Sequence, residues 1–168
     1  MDILKKAAPH ATQADAQQAV GTSLQFIVFK VGGQAYAISI EQIREVVPTP
    51  QIAHLPQSPD FVQGVGNIRG NIIAIIDPHL CLGLQNTNPN NKANYTLVIE
   101  SEAYKMGILV HEVPNTLNVN STQVEEAGAL SMGNGSSKFI KGLIKEASQL
   151  IVVIDAIELI TSQQWHQN

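Results

Sequence analysis

Dense aliphatic runs separated by short polar breaks dominate the chain from Leu24 onward. Gln25-Phe26-Ile27-Val28-Phe29-Lys30-Val31 is rich in β-branched and aromatic residues and meets Gly32-Gly33, a two-residue hairpin signal. Gln34-Ala35-Tyr36-Ala37-Ile38-Ser39-Ile40 returns as a second strand. Glu41 to Val47 continues it until Pro48 and Pro50, which remove ladder donors, break the run. After a loop at Pro56-Gln57-Ser58-Pro59, Phe61 to Gly66 leads through the turn sequence Asn67-Ile68-Arg69-Gly70-Asn71 into Ile72-Ile73-Ala74-Ile75-Ile76. That run has no polar alternation, which predicts a strand buried on both faces. Asp77 then suits a helix cap and Pro78 the first helical position; Leu80, Cys81 and Leu82 fill a short helix that Gly83 stops.

The same grammar recurs downstream of an Asn/Pro-rich linker, Gln85 to Asn94. Thr96 to Glu100 and Tyr104 to Val110 read as strands, residues 114–137 as a long irregular connection, and Phe139 to Ile144 and Leu150 to Ile154 as a further pair. Asp155 precedes a second short helical stretch, Ala156 to Ile160. The halves align without a gap from Phe61-Val62-Gln63-Gly64 on Phe139-Ile140-Lys141-Gly142 to Asp77 on Asp155. Upstream, Ala37-Ile38-Ser39-Ile40 matches Gly107-Ile108-Leu109-Val110 at a register eight residues shorter. Shared Phe, Gly and strand-ending Asp at one offset indicate duplication, where aliphatic matches alone would not.

Many short strands with turns every eight to twelve residues predict an all-β fold, as small closed barrels or a sandwich. Halves of about 70 residues are each marginal alone, so a hydrophobic layer between two lobes is expected to complete their burial. Residues 1–23, rich in Ala, Gln and Thr, read as a flexible tail. The folded unit is expected over 24–162, with lobes at about 24–84 and 95–162, and residues 163–168 as a C-terminal tail.

Composition narrows the function. The 168 residues carry a net charge of −4, which offers no basic field for a nucleic acid. One cysteine, Cys81, cannot form an internal disulfide and suits a reducing cytoplasm. The start has no apolar run of signal-peptide length, and the aliphatic runs fall far short of the ~20 residues of a membrane helix, so a cytoplasmic protein with no direct membrane insertion is expected.

The stretch Phe61 to Asp77, containing Asn67-Ile68-Arg69-Gly70, resembles the signature of the CheW-like chemotaxis coupling proteins. Phe139-Ile140-Lys141-Gly142 through Asp155 resembles its second-half counterpart, and the opening hairpin, Phe26 to Ile43, also fits. The resemblance implies two pseudo-symmetric five-stranded β-barrels packed on a shared hydrophobic interface, with short helices after the strand-ending Asp residues. It implies a non-enzymatic adaptor joining the cytoplasmic tip of methyl-accepting chemoreceptors to the regulatory domain of a CheA-type histidine kinase. Related copies serve twitching or phototaxis systems. No aspartate-phosphorylation receiver domain is expected, which argues against the fused adaptor variant.

Carried over by motif, Arg69 and Asn67 lie in the loop expected to face the receptor, and Glu45 matches an acidic position of the receptor groove. Ile43 and Gly64 match positions whose disturbance weakens partner binding in the family. The chain departs from the pattern at Gly66, where a bulkier residue is usual, at Pro78-His79, which replaces Leu-Arg, and at Lys145-Glu146-Ala147-Ser148, which retains no Arg-Gly. Independently of the resemblance, Arg69 sits between an apolar Ile68 and a turn Gly70, so its side chain should project outward, free to make a forked contact with a partner carboxylate. Glu45, flanked by Ile43, Val46 and Val47, is placed to border an apolar groove. Gly64 is first a backbone requirement.

Catalytic readings are weaker. Asp77 and Asp155 could form a carboxylate pair, but each ends an apolar strand before a short helix, so capping explains both. His10, His54, His79, His111 and His166 show no metal-ligand spacing with a carboxylate or Cys81, and no metal or cofactor is expected. Gly64-x-Gly66 lacks the rest of a dinucleotide fingerprint, and no Ser or Thr sits in a nucleophile elbow. A small-ligand or hydrolytic β-barrel using Asp77, Asp155 or a histidine remains the contrasting reading.

Overall fold

The computed structural model describes residues 21–85, 92–127 and 138–163. The expectations for 1–20, 86–91, 128–137 and 164–168 therefore fall outside the described residues. β1 (Ser23–Val31) and β2 (Gln34–Ser39) form the first hairpin, turning at Gly32 and Gly33, whose φ values of 60° and 83° suit glycine. A 3-10 turn at Ile40–Gln42 then separates β2 from β3 (Ile43–Pro48), so the apolar stretch up to Val47 changes direction. β4 (Ile52–Ala53), β5 (Val62–Ile68) and β6 (Asn71–Ile76) follow, then the helix α1 (Pro78–Cys81). β7 (Tyr95–Glu100) and β8 (Lys105–Val110) form the next hairpin. β9 (Asn115–Asn120), a 3-10 turn at Ser121–Gln123, β10 (Val124–Glu126), β11 (Ile140–Glu146), β12 (Gln149–Ile154) and α2 (Ala156–Thr161) complete the order.

Two strands thus lie within the stretch expected to be irregular. Asn115-Thr-Leu-Asn-Val-Asn is poor in β-formers, but β9 pairs with β1 over six residues, and Val119 reaches the core opposite Leu24. Tertiary pairing overrides local propensity here. Ile72 corrects another expectation: it is 66% exposed, so β6 is buried on both faces only from Ile73 onward.

The strands form two six-stranded sheets, ordered β9-β1-β2-β12-β11-β10 and β3-β7-β8-β6-β5-β4. Flat sheets would hold their outer strands about 24 Å apart at the usual ~4.8 Å spacing. Pro48 and Ile52, however, join the edges β3 and β4 through three residues and can be only about 14 Å apart. The turn Ser121–Gln123 joins β9 to β10 in the same way. Each sheet therefore curls into a small barrel, here barrel I (β1, β2, β9–β12) and barrel II (β3–β8). The sixth strand in each is the very short β4 or β10.

The barrels do not follow the division at 24–84 and 95–162. β2 runs parallel to β12, with Ile38 beside Ile154, and β8 runs parallel to β6, with Ile108 beside Ile76. Each repeat's first hairpin thus completes the barrel of the other repeat's second hairpin. The pairings coincide under the two sequence registers, since Ile38 matches Ile108 and Ile154 matches Ile76. The reason is burial: Ile27, Phe29, Val31, Tyr36 and Ile38 of barrel I share one cluster with Leu97, Ile99, Met106, Ile108 and Val110 of barrel II. Smaller clusters fill the barrels themselves, around Phe26, Ile144 and Ile151 in one and Ile73, Ile75 and Val98 in the other. α1 and α2 add Cys81, Leu159 and Ile160 to the shared layer, and Gln163 Nε2 donates to the Cys81 carbonyl at 2.9 Å. No helix among the described residues is long and apolar enough to cross a membrane.

Candidate functional site

The β5–β6 connection is a two-residue turn with positive φ at both positions, 51° at Arg69 and 83° at Gly70. Asn67 Oδ1 accepts from the Gly70 N–H at 3.0 Å and closes the turn. Asn67 therefore shapes the loop as well as facing outward. A left-handed backbone aims the Arg69 side chain away from the barrel, and it is 72% exposed. Its Nε–H is shared between Glu45 Oε2 at 2.7 Å and Oε1 at 3.0 Å. Arg69, Asn67 and Glu45 are thus brought together, 24 residues apart for the ion pair. The pair ties the β5–β6 turn to edge strand β3 at the end of barrel II where β4 is too short to fill the seam.

Ile43 and Gly64 lie elsewhere. Ile43 begins β3, half-buried, with its side chain against the inter-barrel layer and a register shift separating it from Glu45. Gly64 occupies a bulge in β5 at φ 151°, where an added Cβ would overlap the Ala53 carbonyl oxygen. It is what lets β4 approach β5, and Gly142 does the same for β10, where a Cβ would lie 2.5 Å from the Glu125 oxygen. Gly66 has a physical reason too: a Cβ there would meet Pro50 Cγ at 2.7 Å, so Pro50 takes the space that a side chain at this position would need.

Around the turn, Arg44 Nε stands 3.6 Å from Glu100 Oε2. Val46, 40% exposed, lies opposite the core residue Leu97, and Ile72 extends the face of Ala74 and Ile76 outward. Apolar side chains therefore continue from the shared layer to its open rim. Leu150, the repeat counterpart of Ile72, is also 50% exposed. The shared position just after a polar turn was the sequence signal that could have marked both. The ion pair has no such counterpart: the repeat places Ala147, also at φ 51°, for Arg69 and Asn115 for Glu45.

Asp77 and Asp155 cap their helices, accepting from the His79 and Glu158 N–H groups at 2.9 Å each. Sequence reasoning missed one cluster. His79, buried, places Nδ1 3.0 Å from Asp77 Oδ1 and meets the His111 ring edge-on at 5.9 Å. No group of three His, Cys, Asp or Glu residues able to hold a metal occurs among the described residues. Burial, and then the charge of Asp77, push the Cys81 thiol up to about 12, which keeps it in the weakly nucleophilic thiol form near neutral pH.

Residues 25–164 match the model of the CheW-like domain family. Among curated relatives, the chemotaxis protein CheW of Thermotoga maritima is 30% identical over 152 residues, covering 89% of this chain and 93% of its own. That of Helicobacter pylori is 26% identical over 156 residues, covering 93% and 90%. The solved scaffolding protein TtCheW of Thermoanaerobacter tengcongensis has the same fold, with a TM-score of 0.70 at 23% identity over 82% of this chain and 92% of that one. The duplicated, hairpin-exchanged barrels and the Asn67–Gly70 turn accordingly sit within a matched span of nearly the whole described structure, and the chain belongs to the CheW-like domain family.

Proposed function

We propose that this protein is a cytoplasmic chemotaxis scaffold that holds the regulatory domain of a CheA-type histidine kinase against the cytoplasmic tip of a chemoreceptor, and that it makes or breaks no bond. The observation that carries the reading is the turn at Arg69. A guanidinium 72% exposed, held at one end by Glu45 and bordered by an apolar rim, suits one face of an amphipathic receptor helix. Glu45 fixes the Nε edge, which leaves the terminal amino groups of Arg69 for a partner carboxylate or carbonyl. Ile43 and Gly64 support docking through the inter-barrel layer and the β4–β5 seam. The relatives in Thermotoga maritima and Helicobacter pylori, both named chemotaxis proteins, support the pathway.

The test is size-exclusion co-elution of the full chain with a CheA-type regulatory domain and a receptor-tip fragment. A ternary peak is expected, with Arg69→Gly losing the receptor fragment and keeping the kinase domain. Separate elution of wild-type protein from both partners at low and moderate salt would overturn the proposal.

A further inference from the structure

The Arg69 turn has a counterpart in the same molecule that does the same backbone work with fewer side-chain bonds. In barrel I, Glu146 pairs with Gln149, so Ala147 and Ser148 form a two-residue turn of the same length. Ala147 adopts φ 51°, the value found at Arg69. The repeat puts Lys145 where Asn67 stands, and an ammonium has no lone pair to offer a backbone N–H. The β11–β12 hairpin therefore closes, left-handed residue included, with no acceptor at that position. In barrel II, by contrast, Asn67 Oδ1 accepts from the Gly70 N–H at 3.0 Å. The bond is an addition to a kind of turn that forms without it.

What the bond fixes follows from which N–H it takes. The ladder is closed by the flanking pair Ile68 and Asn71, which leaves the Gly70 N–H outside it. That N–H belongs to the planar peptide unit that leaves the Arg69 Cα, so holding it holds the backbone on that side of Arg69. A left-handed residue with a Cβ is inclined to leave its conformation, and the bond opposes this. Glu45 holds the far end, accepting from Arg69 Nε–H at 2.7 and 3.0 Å. Arg69 is thus restrained at its backbone and at its Nε edge, with only the terminal amino groups left over. Neither restraint recurs in barrel I, where Lys145 and Asn115 take the places of Asn67 and Glu45 and Ala147 carries no guanidinium.

We infer that Asn67 is a positioning residue: it touches no partner itself and presets the Arg69 guanidinium for one by locking the peptide unit beneath it. This role rests on the reading of Arg69 as the receptor-docking side chain, and adds that affinity depends on ordering Arg69 before the encounter. A side chain ordered in advance loses less freedom on binding, and the complex gains by that difference.

The experiment compares Asn67→Ala, which lacks the acceptor, with Asn67→Asp, which keeps it, in the isotope-labelled full chain at constant ionic strength. Hydrogen exchange is first followed without a partner, at the Gly70 amide and at Arg69 Nε–H. Asn67→Ala is expected to speed both at least three-fold while the Asn71 amide, held by the ladder, stays as in wild type. Asn67→Asp should return both to within two-fold of wild type. The receptor-tip fragment should then bind Asn67→Ala at least five-fold more weakly than wild type, and Asn67→Asp within two-fold of it. Arg69 Nε–H exchange unmoved by Asn67→Ala would overturn the inference whatever the affinities. So would an Asn67→Asp chain that regains both protections yet binds the receptor fragment as weakly as Asn67→Ala, because the Asn67 amide would then be touching the receptor. Wild-type protein that binds no receptor fragment would refute the docking reading and this role with it, and the exchange rates, measured without a partner, tell that failure from a failure of the lock.

Discussion

Replacing Arg69 by glycine removes the side chain proposed to meet the receptor and should leave the fold almost as stable as before. Three terms decide this. The ion pair with Glu45 is short, but with Arg69 72% exposed it is screened and contributes only about 0.5 kcal/mol. Arg69 sits at φ 51°, a left-handed conformation that costs a residue with a Cβ about 1–2 kcal/mol, and glycine relieves this. Glycine in turn makes the unfolded chain more flexible, at a cost of about 0.4–1 kcal/mol. Losses and relief nearly cancel, so Arg69→Gly should lie within about 1 kcal/mol of wild type. Glu45→Gln, which loses the pair without the relief, should be destabilised by about 0.5 kcal/mol. Urea unfolding followed by fluorescence or circular dichroism measures both, with an unchanged slope showing that the same transition is compared. The charge reversal Arg69→Glu is a poorer probe, because it sets a second carboxylate against Glu45 and mixes repulsion with lost docking. A loss above about 2 kcal/mol in Arg69→Gly would mean that Arg69 holds the barrel together, and the functional reading of its side chain would fail.

Gly64→Ala should cost roughly 2–4 kcal/mol, because its Cβ meets the Ala53 carbonyl at a φ of 151°; Gly142→Ala, crowded by the Glu125 oxygen at an ordinary φ, should lose less, and paired urea curves compare them. Asp77→Asn should keep the α1 cap and stay within about 0.5 kcal/mol of wild type, whereas Asp77→Ala should lose about 1–2 kcal/mol; equal losses in thermal melts would show that charge outweighs capping. Cys81 binds its proton more tightly folded than unfolded, so its contribution is complete below the unfolded thiol value and falls as pH rises toward about 12. Cys81→Ala should therefore flatten the alkaline loss of stability above about pH 9, a slope of up to about 1.4 kcal/mol per pH unit; an unchanged slope would place the loss elsewhere.

What the residues reveal unaided is what is local. Gly32-Gly33 fixes the first hairpin, Asn67 to Gly70 the second, and Asp77 and Asp155 cap helices where their neighbours say they should. β4, β9 and β10 escape because two or three residues, or an Asn-rich run, acquire strand geometry only from a partner far along the chain. The Arg69–Glu45 pair and the His79–His111 contact escape for the same reason: each joins residues that sequence spacing does not relate. Gly66 looks anomalous until Pro50 is seen to occupy the space above it.

The exchange of hairpins explains why duplication did not yield two independent lobes. Ile38 against Ile154 and Ile108 against Ile76 are central parallel pairings, so separating the repeats would open both barrels at once and expose the layer between them. Such a core constrains both copies equally, and the same local requirements recur in each: Gly64 and Gly142 admit the short strands β4 and β10, and Asp77 and Asp155 cap the helices. Divergence is free only where the layer ends. There the copies part: barrel II carries Arg69 with Glu45 at one end and the two histidines at the other, while barrel I carries Ala147 with Asn115 and Gln42 bonded to Asp155. A symmetric scaffold with chemistry on one half presents two unlike ends, which is what the proposed connector between two different partners would require.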